Sequence, residues 1–264
     1  MLEIACYAGA LTAAAWALWV RRGTCAIPWE APITRTIRRL ALSLLLIAPA
    51  AEPVIGRLFW EVFGRWHLND LLGHITALGA LAGSTFAGMM RMPALRQRLE
   101  PLLYYPFVLG MAMLVFLFWP SAAAHSPAND IFHLNARELP GQGWFLAYLT
   151  LLFTLLLYYA GLNLWVALAH LRGDPRARPV ALTWMACVGL GVVGTACWLL
   201  PLSGITAWYD FGRISMCGCV AAYSVSSARS WQRKLDPWRR LIRATGARLW
   251  TRCATCPRGQ PAHT

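Results

Sequence analysis

Lysine is almost missing from this chain: Lys234 is the only one in 264 residues. Charge of either sign is scarce, at 13% of residues, where a soluble domain carries about a quarter. That scarcity excludes an ordinary water-soluble globular protein. Acids are scarcer than bases, so the net charge is +13. The sequence nevertheless leaves no room for the soluble basic domain that nucleic-acid binding would need. No cysteine falls in a loop expected outside, and most of the eight sit in apolar runs as small hydrophobes, which excludes an extracellular disulfide framework. Also missing are a nucleophile elbow, a phosphate-binding glycine loop and a catalytic carboxylate pair, so no enzyme and no cofactor is expected. Internal repeats are absent as well.

What the chain has in abundance is apolar length. Hydrophobic residues make up 58%, and about 20 consecutive ones suffice to cross a bilayer. Seven such runs are read: Leu2–Val20, Arg39–Leu58, Leu68–Met90, Leu102–Trp119, Trp144–Leu171, Val180–Leu200 and Trp208–Val225. The first has Glu3 at its start and Arg21–Arg22 after it, the reverse of a cleavable leader. Pro49 and Pro53 interrupt the second, and the fifth exceeds the hydrocarbon thickness. The expected fold is all-α, a seven-span membrane bundle over residues 1–225.

Arginine sets the orientation. If the loops after spans 1, 3 and 5 and the tail are cytoplasmic, 20 of the 24 basic residues lie inside. Only Arg57, Arg65, Arg137 and Arg213 remain outside. By the positive-inside rule the N-terminus is out and the C-terminus in, in a multi-pass protein of the plasma membrane.

Residues 226–264 form a basic cytoplasmic tail with a disordered end. Trp231, Leu235, Trp238, Ile242 and Leu249 share one helical face, with Arg239, Arg240 and Arg243 among the residues around it. Asp236-Pro237 reads as an N-cap and first helical position, so a new amphipathic helix is expected there, lying on anionic headgroups. The tail also carries a lone CxxC, Cys253 and Cys256, whose spacing reads as chance.

Ionisable residues inside spans are costly and mark function by default. Glu52, Asp70, His74, Asp210 and Arg213 fall at a similar outer height on three spans, which predicts a polar pocket open to the outside. Arg213 is expected to pair with Glu52 or Asp70, with His74 close by. The plainer alternative is a wetted interfacial layer that holds the bundle together. His67, Asp70 and His74 share a helical face and are the candidate metal ligands, with His125 and His133 able to complete a set; a metal is not expected. Gly79 and Gly83 form a GxxxG and Gly191 and Thr195 a second small pair, both suited to helix packing. Asn163 reads as an interhelical hydrogen-bonding residue, His170 as reaching the inner interface, and Tyr158 and Tyr159 equally as packing or as ligand contacts.

Leu71-Leu72-Gly73-His74 with the small-residue run behind it, the long fifth span and the RGDPRARP loop give a family likeness. Over residues 1–225 the chain resembles seven-span integral membrane proteins of actinobacteria and their phages, some of them classed as transporters. The resemblance implies a helical bundle and a hint of transport, and brings no site residues with it. The expected function is binding or transport of a small solute or ion through the outer pocket. The alternative is a sensor or interaction module that signals to a protein partner through the tail.

Overall fold

The computed structural model describes residues 2–90, 92–127, 141–173, 175–200 and 208–244, and the described residues contain helices and turns but no strand. Eight α-helices follow in order: α1 (Leu2–Val20), α2 (Ala31–Ile47), α3 (Arg57–Phe63), α4 (Leu68–Met89), α5 (Pro93–Phe118), α6 (Gln142–Gly173), α7 (Arg178–Leu199) and α8 (Tyr209–Ala244). Among the described residues α1, α4, α5, α6 and α7 are long and apolar enough to cross a membrane. A sixth crossing is obtained if α2 and the segment Glu52–Phe63, bent by 78° relative to it, count as one. Large apolar side chains face outward, such as Ile4, Tyr105, Leu109, Phe116 and Leu182. Lipid is the solvent that tolerates such a surface.

Neighbouring helices close a ring, α1–α2–α4–α6–α7–α8 and back to α1, with α5 outside against α4 and α6. Most of the core lies among α4, α5 and α6, around Leu78, Leu114, Tyr148, Leu152 and Tyr159. On α1 the buried residues Tyr7, Ala10, Ala14 and Ala17 recur at helical spacing, and three of them are alanine. Short side chains let α8 come close, which is how helices gain contact in lipid.

Three expectations about elements are corrected. The second span, expected over 39–58 with Pro49 and Pro53 interrupting it, breaks at those prolines but begins eight residues earlier. α2 starts at Ala31, takes in Arg35, Arg38 and Arg39, and stops at Ile47. Pro49 and Pro53 lack the N–H groups a helix would use, so the chain turns through a π-helical turn, Glu52–Gly56, into α3. The fourth span reaches back to Pro93, so most of the supposed loop of residues 91–101 is helix, with Pro101 and Pro106 inside it. Pro106 cannot bond the carbonyl of Leu102. Tyr158 Oη donates to that oxygen instead (2.7 Å), and Tyr159 Oη donates to Leu103 (3.1 Å), so the two tyrosines do more than pack.

The third correction concerns the tail. No new helix begins at Asp236; α8 runs through Pro237 to Ala244 as one rod of 36 residues, about 54 Å long. Trp231 packs over the Arg21 guanidinium (5.8 Å). The side chains of Trp238, Arg239, Arg240 and Arg243 lie outside the described residues, as do Asp130, His133, Arg137, Cys253 and Cys256.

Candidate functional site

The break after α2 builds the site. Glu52 opens the π-helical turn, and its carboxylate folds back over Gly56. A Cβ on Gly56 would stand 2.5 Å from the Glu52 carboxyl carbon. α3 then ends at Gly64, whose left-handed backbone (φ +65°) reverses the chain. Three residues later His67 is also left-handed (φ 54°), the only non-glycine residue with positive φ among those described. Non-glycine residues adopt this conformation uncommonly, histidine more readily than most, and such backbone cost gathers at functional positions. The turn delivers a fully buried His67 to the N-terminus of α4, one turn from Asp70.

His67 Nδ1–H donates to Asp70 Oδ2 at 2.8 Å and lies 3.5 Å from Glu52 Oε2. One donor atom from each of Glu52, His67 and Asp70 falls within 4.8 Å of the other two, and all three residues are buried. The cluster is under-satisfied: both Glu52 oxygens and His67 Nε2 have no hydrogen-bond partner among the described residues. One imidazole and two carboxylates, buried together with unused lone pairs, form a donor set for a cation. The surroundings are rigid. Asn69 Nδ2 donates to the Leu46 carbonyl (3.0 Å), capping the end of α2, and Gly73 admits Ile47 at the α2–α4 contact.

Comparison of the chain with protein-family models, curated proteins and solved structures returns no match. The site therefore speaks through its own geometry.

The expected outer pocket is partly assembled. Glu52 and Asp70 meet, but through His67, which is fully buried. Arg213 is buried and acts electrostatically on Asp70, yet its ion pair is with Glu3 on α1, not with Glu52 or Asp70. Glu3, in the first turn of α1, has no place in the expected pocket because that pocket draws only on spans 2, 3 and 7. His74 leaves the acids and shares a 2.7 Å hydrogen bond with Tyr148 on α6. It is thereby removed from the candidate metal set His67, Asp70 and His74, and Glu52 takes its place. Asp210 is exposed at the start of α8, and His125 Nδ1 pairs with the Ser121 carbonyl at 2.9 Å. Gly56 carried no signal in the sequence, since its role depends on how the π-helical turn folds.

Polar contacts continue down α4 but not without a gap. Ser84 Oγ donates to Asn163 Oδ1 (2.6 Å), and His170 Nε2 meets the Gly88 carbonyl (3.1 Å). Between His74 and Ser84 lie about 15 Å of helix. Leu78, Leu152, Leu155 and Leu156 close that stretch.

A second buried charge cluster occupies the α1–α2 connection. Arg21 Nη2 donates to Glu30 Oε2 (2.7 Å), Nε to Thr34 (3.2 Å) and Nη1 to the Ser227 carbonyl on α8 (3.1 Å). Lys234 Nζ donates to the other Glu30 oxygen at 2.5 Å. Burial pushes the Glu30 carboxyl up, but the hydrogen bonds and charges of Lys234 and Arg21 outweigh it and hold it below the usual carboxylate range.

Proposed function

We propose that this protein crosses the plasma membrane seven times and binds a small cation at Glu52, His67 and Asp70. The crossings are α1, the bent α2–α3 pair, α4, α5, α6, α7 and the first half of α8, with the N-terminus out by the arginine count. The site then lies toward the outer side. The observation that carries the reading is the buried, under-satisfied cluster of three donor atoms within 4.8 Å, held by a strained His67. Its mixed nitrogen and oxygen donors suit a first-row divalent ion. The leucine plug below His74 favours capture of the ion over conduction through the bundle. The likeness to seven-span proteins classed as transporters is compatible with an ion taken from outside.

Calorimetric titration of the detergent-purified protein with Mn2+, Co2+ and Zn2+ tests the reading. One equivalent bound by wild type, and lost in both Glu52→Gln and Asp70→Asn, is expected. Wild type that binds none of the three ends it.

A sensor is the second reading, favoured by α8. One helix carries Arg213 beside the outer cluster and Lys234 in the inner one, so a change at the first has a rigid path to the second. The basic tail would then meet a protein partner or anionic headgroups. Deleting residues 226–264 should spare ion binding and abolish that contact.

A further inference from the structure

A groove of about 540 Å³ lies between the amino-terminal half of α2, the second half of α4 and the first half of α5, far from the cation cluster. Arg35 and Arg39 stand on one face of α2, four residues apart, and both line it. Arg39 is eight residues into α2, and its Nη1 donates to the Gly79 carbonyl (2.9 Å), midway along α4. Gly79 and Gly83 make this possible: a Cβ on Gly83 would stand 3.4 Å from Arg39 Nη1, and one on Gly79 3.8 Å from its Cδ. The GxxxG thus admits a guanidinium as well as a helix.

Among the described residues no carboxylate pairs with Arg35 or Arg39. Glu100 also lines the groove, but it is ion-paired with Arg96 at 3.2 Å. Both arginines are exposed, and the proposed membrane crossing by α2–α3 sets them at the bilayer. A charge at that depth is expensive unless an anion meets it. The remaining wall is apolar and aromatic, with Phe86, Leu103, Tyr104 and Phe107 prominent. Guanidinia at one rim and hydrocarbon along the wall match a molecule that is anionic at one end and apolar along its length.

We propose that this groove seats one anionic phospholipid, drawn from the leaflet that holds the amino end of α2. Its phosphate lies against Arg35 and Arg39, and an acyl chain runs over Phe86 and Phe107. Basic pockets between membrane helices hold lipid headgroups in this way. The bilayer supplies the occupant at high local concentration, and the groove's apolar wall gives nothing to free phosphate.

Native mass spectrometry of the delipidated full chain, titrated separately with phosphatidylglycerol and phosphatidylcholine, tests the proposal. One retained phosphatidylglycerol is expected, with retention falling roughly fivefold for each guanidinium removed in Arg35→Gln and in Arg35→Gln/Arg39→Gln. Among the described residues Arg35 makes no side-chain hydrogen bond, so its single variant reads binding even if the double variant folds poorly. The charge-matched control Arg172→Gln/Arg178→Gln, outside the groove, should bind as wild type does. Equal retention of phosphatidylcholine, equal losses in the control, undiminished binding by Arg35→Gln, or displacement of the lipid by millimolar inorganic phosphate would each overturn the proposal.

Discussion

Two clusters of buried charge sit at opposite ends of this bundle, and they are built on opposite principles. At the α1–α2 connection Glu30 receives a cation on each oxygen and Arg21 uses donors on three sides. At the α2–α4 break, neither Glu52 oxygen nor His67 Nε2 has a hydrogen-bond partner among the described residues. Desolvating a charge costs several kcal/mol and is tolerated when partners satisfy it. The first cluster meets that condition internally, so it reads as a fastening between the loop and α8. The second leaves valence open, as a site does that awaits a ligand.

The difference can be broken most easily at Arg21. Arg21→Ala should cost about 3 kcal/mol, because it removes the buried guanidinium that donates to Glu30, Thr34 and the Ser227 carbonyl, while Lys234 stays on Glu30. A lowered midpoint of thermal unfolding in detergent would show it. If the midpoint does not move, the fastening is not one. Glu52→Gln should do the reverse: little loss of stability, or a gain in the ion-free protein, and a drop of about a hundredfold in divalent-ion affinity. Equal destabilisation by both variants would erase the contrast.

Gly56→Ala sharpens the point. Its methyl group would displace the Glu52 carboxylate, so ion affinity should fall with a stability cost of about 1 kcal/mol. Retained affinity would show that Glu52 does not need that backbone.

Smallest is the effect of Lys234→Gln. Its side chain is 41% exposed, so solvent screens the pair and the loss should stay near 1 kcal/mol or below. Acid acts on the same contact. Because the folded protein holds Glu30 below the usual carboxylate range, the pair's stabilisation is full above that range and is lost as pH falls through the lowered value. Trp231 fluorescence should report loosening of α8 on that acid limb, and Glu30→Gln should remove the dependence.

Much of the bundle was legible in the residues. Apolar runs marked α1, α4, α6 and α7 to within a few positions, because the hydrocarbon thickness imposes length on sequence. Prolines were harder to read. Pro49 and Pro53 ended a helix, while Pro106 and Pro237 stayed inside one. The difference at Pro106 is Tyr158, whose hydroxyl takes up the freed carbonyl from another helix. Of the candidate site, Glu52 and Asp70 stood out as acids in apolar surroundings. Spacing marks His67 on the face of Asp70 but not its depth, and nothing in the residue order pairs Glu3 with Arg213 or gives Gly56 its role.

Composition and periodicity by themselves determined that this chain is helical, suited to a membrane and biased in its arginines, since each of those is a one-dimensional property of residue order. Which acid meets which base was decided only by the fold. Glu30 and Lys234, like Glu3 and Arg213, are separated by some two hundred residues. Coulomb and hydrogen-bond energies depend on distances of a few ångströms, and those distances exist only once α8 lies between α1 and α7 and the chain has turned at Gly64 and His67.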